Sequence, residues 1–128
     1  VLAKFNNQHI VSPTLSKHCL GTIVTSNASK LFDGVACSEA VARIIEHNSV
    51  TTLGEQLHVF SNKSFTLLFA LAESHISIHT WPERLTVQLD VFLCNYINDN
   101  SEKCENIYNE IVSYFDAVEN DSMYIERL

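Results

Sequence analysis

Between residues 73 and 94 the chain gathers side chains that can move protons, attack carbonyls or bind metals: Glu73, Ser74, His75, Ser77, His79, Trp81, Glu83 and Cys94. All but the last fall within one stretch, ESHISIHTWPE, residues 73–83. Singly, each has an ordinary explanation. His75, Ser77, His79 and Trp81 share strand parity, as a half-exposed polar face would produce. Cys94 alone fits a partly buried thiol, and Glu83 alone a surface carboxylate. Together they allow three chemistries. A metal could draw on His75 and His79, with His58 or Cys94 as a third ligand. On a strand, however, an i, i+4 spacing separates the side chains by about 13 Å, whereas zinc ligands lie about 2 Å from the ion. The β-branched run ending at Pro82 rules out the helix that would bring these histidines together, so no metal is expected. A Ser-His hydrolase would need a G-x-S-x-G elbow around Ser74 and an acid to orient His79, and neither is present.

The third chemistry is backbone cleavage at a serine. The Ser74 hydroxyl attacks the carbonyl of Glu73 and turns the peptide into an ester. Loss of the Ser74 α-proton then expels the Glu73 carboxylate, and hydrolysis of the resulting dehydroalanine leaves a pyruvoyl group. The sequence of steps requires a strained peptide, a donor at the oxyanion and a base. Ser74 follows an abrupt strand end, and His79, five residues on, is a candidate base.

These residues must be held by a fold. Strands are expected at 18–25, 57–60, 64–72, 75–81 and 86–94 from β-branched content and alternation. In the last of them Val87, Leu89, Val91 and Leu93 face one way and Gln88, Asp90, Phe92 and Cys94 the other. A helix over 38–48, capped by Ser38, carries Val41, Ile44 and Ile45 on one stripe. A second helix follows the strands, with Ile107, Ile111, Tyr114, Phe115 and Val118 as its buried stripe. Residues 1–16 read as an arm or loop, residues 25–34 as a loop, and 122–128 as a closing strand. The order implies one α+β domain over 1–128, a two-layer sandwich of an antiparallel sheet packed against two helices.

Composition narrows the function classes. The 128 residues are 46% hydrophobic and 18% charged, and their formal net charge is -7. A nucleic-acid partner needs a basic face, which this acidity disfavours. No apolar run is long enough for a membrane-spanning helix. Cys19, Cys37, Cys94 and Cys104 form no C-x-x-C pair, which with the absence of a leader-like segment suggests free thiols in a cytoplasmic protein.

The ESHISIHTWPE stretch, followed after six residues by DVFLC (90–94), closely resembles the prokaryotic S-adenosylmethionine decarboxylases, a pyruvoyl-dependent family. The resemblance implies autocatalytic cleavage between Glu73 and Ser74 into a β chain, 1–73, and an α chain, 74–128. It implies that Ser74 becomes the pyruvoyl cofactor, whose carbonyl forms a Schiff base with the substrate amine. Carried over position by position, His79 assists processing and Cys94 donates a proton after decarboxylation. Glu83 holds the ribose hydroxyls, and Phe60 and Trp81 lie near the adenine. Thr66 stands where the family usually has a serine that assists processing. The implied substrate is S-adenosylmethionine, the product is the aminopropyl donor for spermidine, and the implied assembly is a homodimer with residues of both subunits near each site. Three departures bear on this: Arg84-Leu85-Thr86 replaces Tyr-Gly-Tyr, Leu67 replaces the glycine after the processing serine, and Leu93 replaces a threonine before the cysteine. A pyruvoyl decarboxylase of ornithine or arginine, and a non-processing nucleoside-binding or regulatory relative, are the alternatives.

Overall fold

The computed structural model describes residues 15–95 and 98–128. The expected N-terminal arm lies outside these residues up to position 14. Six strands form one sheet: β1 (Ser16–Thr25), β2 (Thr52–Val59), β3 (Phe65–Leu71), β4 (Ser74–Trp81), β5 (Thr86–Leu93) and β6 (Ala117–Arg127). Two helices, α1 (Gly34–His47) and α2 (Ser101–Tyr114), complete the two-layer α+β sandwich. The strand order is β2-β3-β4-β5-β1-β6, and all neighbours run antiparallel. β2 to β5 are a meander, because each follows the last through a short turn. β1 is inserted between β5 and β6, and α2 carries the chain across it. Both helices cover the same face, α1 over β2 and β3, α2 over β1 and β5.

The period of two decides which residues the helices meet. Phe65, Leu67, Phe69 and Leu71 of β3, Ile76 and Ile78 of β4, and Val87, Leu89, Val91 and Leu93 of β5 are buried on the helix side. From the helices, Val41 and Ile45 of α1 and Ile107 and Ile111 of α2 close the layer. Complete burial of a side chain the size of Phe65 or Phe69 contributes about 1.5–3 kcal/mol through the hydrophobic effect. The intervening residues point to the other face, which no helix covers among the described residues.

The structure corrects several sequence expectations. α1 begins at Gly34, because the Asp33 carboxylate accepts the Ala36 N–H at 3.0 Å and so caps a helix one turn earlier than Ser38 would. Ser38 sits inside that helix and donates to Glu55. The segment expected as a loop before it contains a 3-10 turn, Ala28–Leu31, whose Leu31 is fully buried. β2 begins five residues earlier than expected and stays largely exposed at the sheet edge. α2 stops at Tyr114, so Val118 belongs to β6 and is exposed. β6 is eleven residues long, since β1 offers it a continuous ladder from Ser16 to Val24, with a register shift before Thr25 pairs with Ala117.

Candidate active site

Ser74 opens β4 between two neighbours, Leu71 of β3 and Leu93 of β5. Its φ is 144°, a conformation that side-chain-bearing residues avoid at a cost of about 1–3 kcal/mol. The strain falls on the residue whose hydroxyl is the candidate nucleophile. The carbonyl it would attack is also held: the Cys94 amide donates to Glu73 O at 2.8 Å. An oxyanion forming on that oxygen would meet a donor already in place. The Ser74 hydroxyl lies 3.4 Å from His75 Nδ1. Desolvation first, and the neighbouring His18 second, lower the His75 pKa, which favours a neutral ring.

The other named residues form a second group. Thr66 pairs with His79 across β3 and β4, and Thr66 Oγ1 lies 3.0 Å from His79 Nδ1. With that nitrogen donating to the hydroxyl, Nε2 is left free to accept a proton. Phe60, Thr66, His79, Trp81 and Glu83 line a cleft of about 580 Å3 at this end of the sheet. Trp81 Nε1 donates to Gln88 at 3.1 Å, which fixes the indole, and the Arg84 guanidinium lies 5.8 Å from its ring centre. Phe60 and Trp81 are 48% and 40% exposed, so each presents a flat apolar surface to the cleft. A larger open groove, about 730 Å3, lies at the helices and is lined by Arg43, His47 and Glu110 among others. It contains none of the site residues.

The two groups stand apart. Five residues of β4 separate Ser74 from His79, a span of about 16 Å at the strand rise. Within one chain His79 therefore does not reach the Ser74 α-proton. The structure brings together Glu73, Ser74 and Cys94 at one end of β4, and Phe60, Thr66, His79, Trp81 and Glu83 at the other.

Two departures from the family pattern have structural outcomes. Leu67 is fully buried on the helix side, opposite to Thr66 and His79, and so does not enter the cleft. Leu85, where the family has glycine, takes a left-handed conformation with φ 53° at the end of the Pro82–Arg84 turn. Sequence reasoning missed Asn100, which is 3% exposed and whose Nδ2 donates to Glu73 Oε2 and, at 2.9 Å, to the Cys94 carbonyl. The only sequence signal for it is its place in an Asn- and Asp-rich turn. Among the described residues no group of three or more His, Cys, Asp or Glu is placed to hold a metal. All four cysteines are free thiols, with Cys19, Cys37 and Cys104 buried and Cys94 half-buried. No helix of the described residues is long and apolar enough to cross a membrane.

The sequence pattern of the S-adenosylmethionine decarboxylase family matches residues 17–128. An S-adenosylmethionine decarboxylase proenzyme of Synechococcus sp. is 33% identical over 97 residues, 76% of each chain. One from Methanococcus maripaludis is 29% identical over 113 residues, 88% of this chain and 89% of that one. The crystal structure of the adenosylmethionine decarboxylase from Aquifex aeolicus superposes with a TM-score of 0.79 at 26% identity, covering 89% of this chain and 91% of that one.

Proposed function

Because the chain belongs to the S-adenosylmethionine decarboxylase family, we propose that it decarboxylates S-adenosylmethionine after cutting its own backbone between Glu73 and Ser74. The observation that carries this reading is the Glu73–Ser74 peptide itself. A strained Ser74 follows a carbonyl already bonded to the Cys94 amide. In the first step Ser74 Oγ bonds to the Glu73 carbonyl carbon, and its proton passes to a base. The oxyanion rests on the Cys94 N–H. The C–N bond then breaks, Ser74 keeps the amine, and an ester joins the two residues. Removal of the Ser74 α-proton expels the Glu73 carboxylate, and water releases the nitrogen as ammonia. The pyruvoyl group left at Ser74 supplies an electrophilic carbonyl that takes up the substrate amine and accepts the electron pair left by carbon dioxide.

The chain's own residues do the rest. The cleft at Phe60 and Trp81 suits a flat base beside a sulfonium, through stacking and cation–π attraction. Glu83, exposed beside Trp81, can accept from a ribose diol. Cys94, next to Leu93 in the register that holds Ser74, can return a proton to the substrate carbon. The product is an aminopropyl donor of the kind spermidine formation consumes.

The gap between the two groups supports a homodimer. The uncovered sheet face carries the row Leu68, Ser77, Asp90, Leu20 and Met123 across five strands. A two-fold axis lying along that row, between two facing sheets, reverses the strand direction. The Ser74 end of β4 in one copy then lies over the His79 end in the other, and the exchange occurs twice. Each complete site takes Ser74 and Cys94 from one subunit and Thr66, His79 and the aromatic cleft from its partner.

Self-cleavage is read by denaturing electrophoresis and intact mass. Two chains meeting at Glu73 and Ser74 are expected, with Ser74→Ala remaining one polypeptide. A full-length wild-type chain that persists without a carbonyl-reactive terminus overturns the reading.

A further inference from the structure

Asn100 lies outside the segment that carries the chemistry, yet it touches both residues that flank the scissile carbonyl's hydrogen bond. Its Nδ2 donates to the Glu73 carboxylate and to the Cys94 carbonyl. Both partners only accept, so the amide has a single orientation that satisfies them. The residue is itself fixed. Its backbone N–H donates to Asn95 Oδ1 at 2.7 Å, and Asn95 is braced by the Ser16 hydroxyl at 2.8 Å and the Leu15 carbonyl at 2.7 Å. Ser16, like Asn100, is buried. A partly buried relay thus runs from the start of β1, through Asn95 and Asn100, to the side chain of the residue being cut.

A hydrogen bond buried in this way is costly to leave unmade, so the relay holds two things in register. It fixes the Cys94 carbonyl, which lies on the same residue as the N–H that donates to Glu73 O. It also ties down the Glu73 side chain, and with it the carbonyl that Ser74 attacks. We infer that Asn100 is a positioning residue for self-cleavage, clamping Glu73 to the Cys94 peptide so that the oxyanion donor and the attacked carbonyl stay aligned.

The inference rests on the proposed cleavage between Glu73 and Ser74, and the test separates the two. Chain appearance is followed by denaturing electrophoresis, alongside thermal melting, in wild type, Asn100→Asp, Glu73→Gln and the double variant. Asn100→Asp keeps the shape, but it replaces the donor with a carboxylate facing another carboxylate. The Asn100 side chain makes no capping hydrogen bond to α2, and a carboxylate placed there against another lowers the melting temperature, so cleavage is compared at a temperature where every variant is folded. Cleavage should slow by about tenfold or more, because small misplacements of reacting groups cost up to about a hundredfold. In the double variant the amide introduced at position 73 donates to the carboxylate introduced at position 100, and cleavage should recover part of that loss relative to Asn100→Asp, since the carboxylate at position 100 still cannot donate to the Cys94 carbonyl. A purely structural role would move melting alone and leave the folded variants cleaving at the wild-type rate. Should Asn100→Asp fail to fold, Asn100→Ser introduces no charge yet is too short to reach Glu73, and it should slow cleavage of the folded chain. Wild-type rates in Asn100→Asp or Asn100→Ser, or a double variant no faster than Asn100→Asp, overturn the inference and leave the cleavage reading intact. A wild-type chain that never cleaves overturns both.

Discussion

Cys94 meets the site through two atoms with different tasks, and substitution separates them. Its amide holds the Glu73 carbonyl and survives in Cys94→Ala, so that variant should still cut into two chains. It should lose turnover, because the thiol proposed to return the proton is gone, and carbon dioxide release from S-adenosylmethionine measures the loss. His79→Ala should fail earlier and accumulate an ester that hydroxylamine cleaves; an amide-only, hydroxylamine-resistant chain would remove His79 from the elimination. Thr66 enters through its 3.0 Å contact with His79, so Thr66→Val should slow processing while Thr66→Ser preserves it. In the proposed site, substrate choice rests on Glu83. Losing its bond to a ribose hydroxyl costs about 1–3 kcal/mol, so Glu83→Gln should weaken S-adenosylmethionine turnover by roughly tenfold or more. Preference for ornithine or arginine, with Glu83→Gln neutral, would reassign the substrate. The ESHISIHTWPE stretch was legible in sequence because it is continuous. The Cys94 amide and Asn100 were not, because they reach Glu73 only through the β4–β5 register and hydrogen bonds made after β5.

Elements were legible where periodicity speaks and obscure where a side-chain cap or a partner strand decides. β3, β4 and β5 alternate cleanly because only one face is buried. α1, by contrast, starts where Asp33 captures the Ala36 amide, and no apolar period marks that point. Asp33→Ala should therefore cost about 1 kcal/mol, lowering the melting temperature by a few degrees, whereas Ser38→Ala should leave the cap intact. Most of β6 escaped notice because its residues are largely exposed and owe their strand conformation to pairing with β1. Gly21 shows how closely that pairing is packed. A Cβ there would come within 2.3 Å of the Tyr108 hydroxyl, 2.6 Å of the Asp121 carbonyl and 2.9 Å of Ser122 Cα. Two of those atoms are backbone and cannot step aside, so Gly21→Ala should destabilise by about 1–3 kcal/mol in thermal melts. Leu85 presents the opposite case: its left-handed backbone, φ 53°, is one that glycine adopts freely.

At the scale of the whole molecule, a single sheet carries two half-sites about 16 Å apart on one strand. No rotamer change closes that distance, because β4 is hydrogen-bonded on both sides over its length. The proposed chemistry is one shared between copies, as the family resemblance implies; the spacing by itself conceals this, since His79 and Ser74 are only five positions apart. Sharing makes a specific prediction. Ser74→Ala and His79→Ala proteins, each purified alone, should remain uncut by elimination. In mixed dimers of the two, one of the two sites receives an intact Ser74 from the His79→Ala copy and an intact His79 from the Ser74→Ala copy. That site is complete, and its partner site lacks both groups. Co-expression should thus yield two-chain product from the His79→Ala copies alone, in an amount limited to the mixed fraction, and mass labelling of one copy identifies which was cut. Cleavage that never appears in mixed dimers, while wild-type dimers cut normally, would place both groups in one subunit and require β4 to break at its Ser74 end.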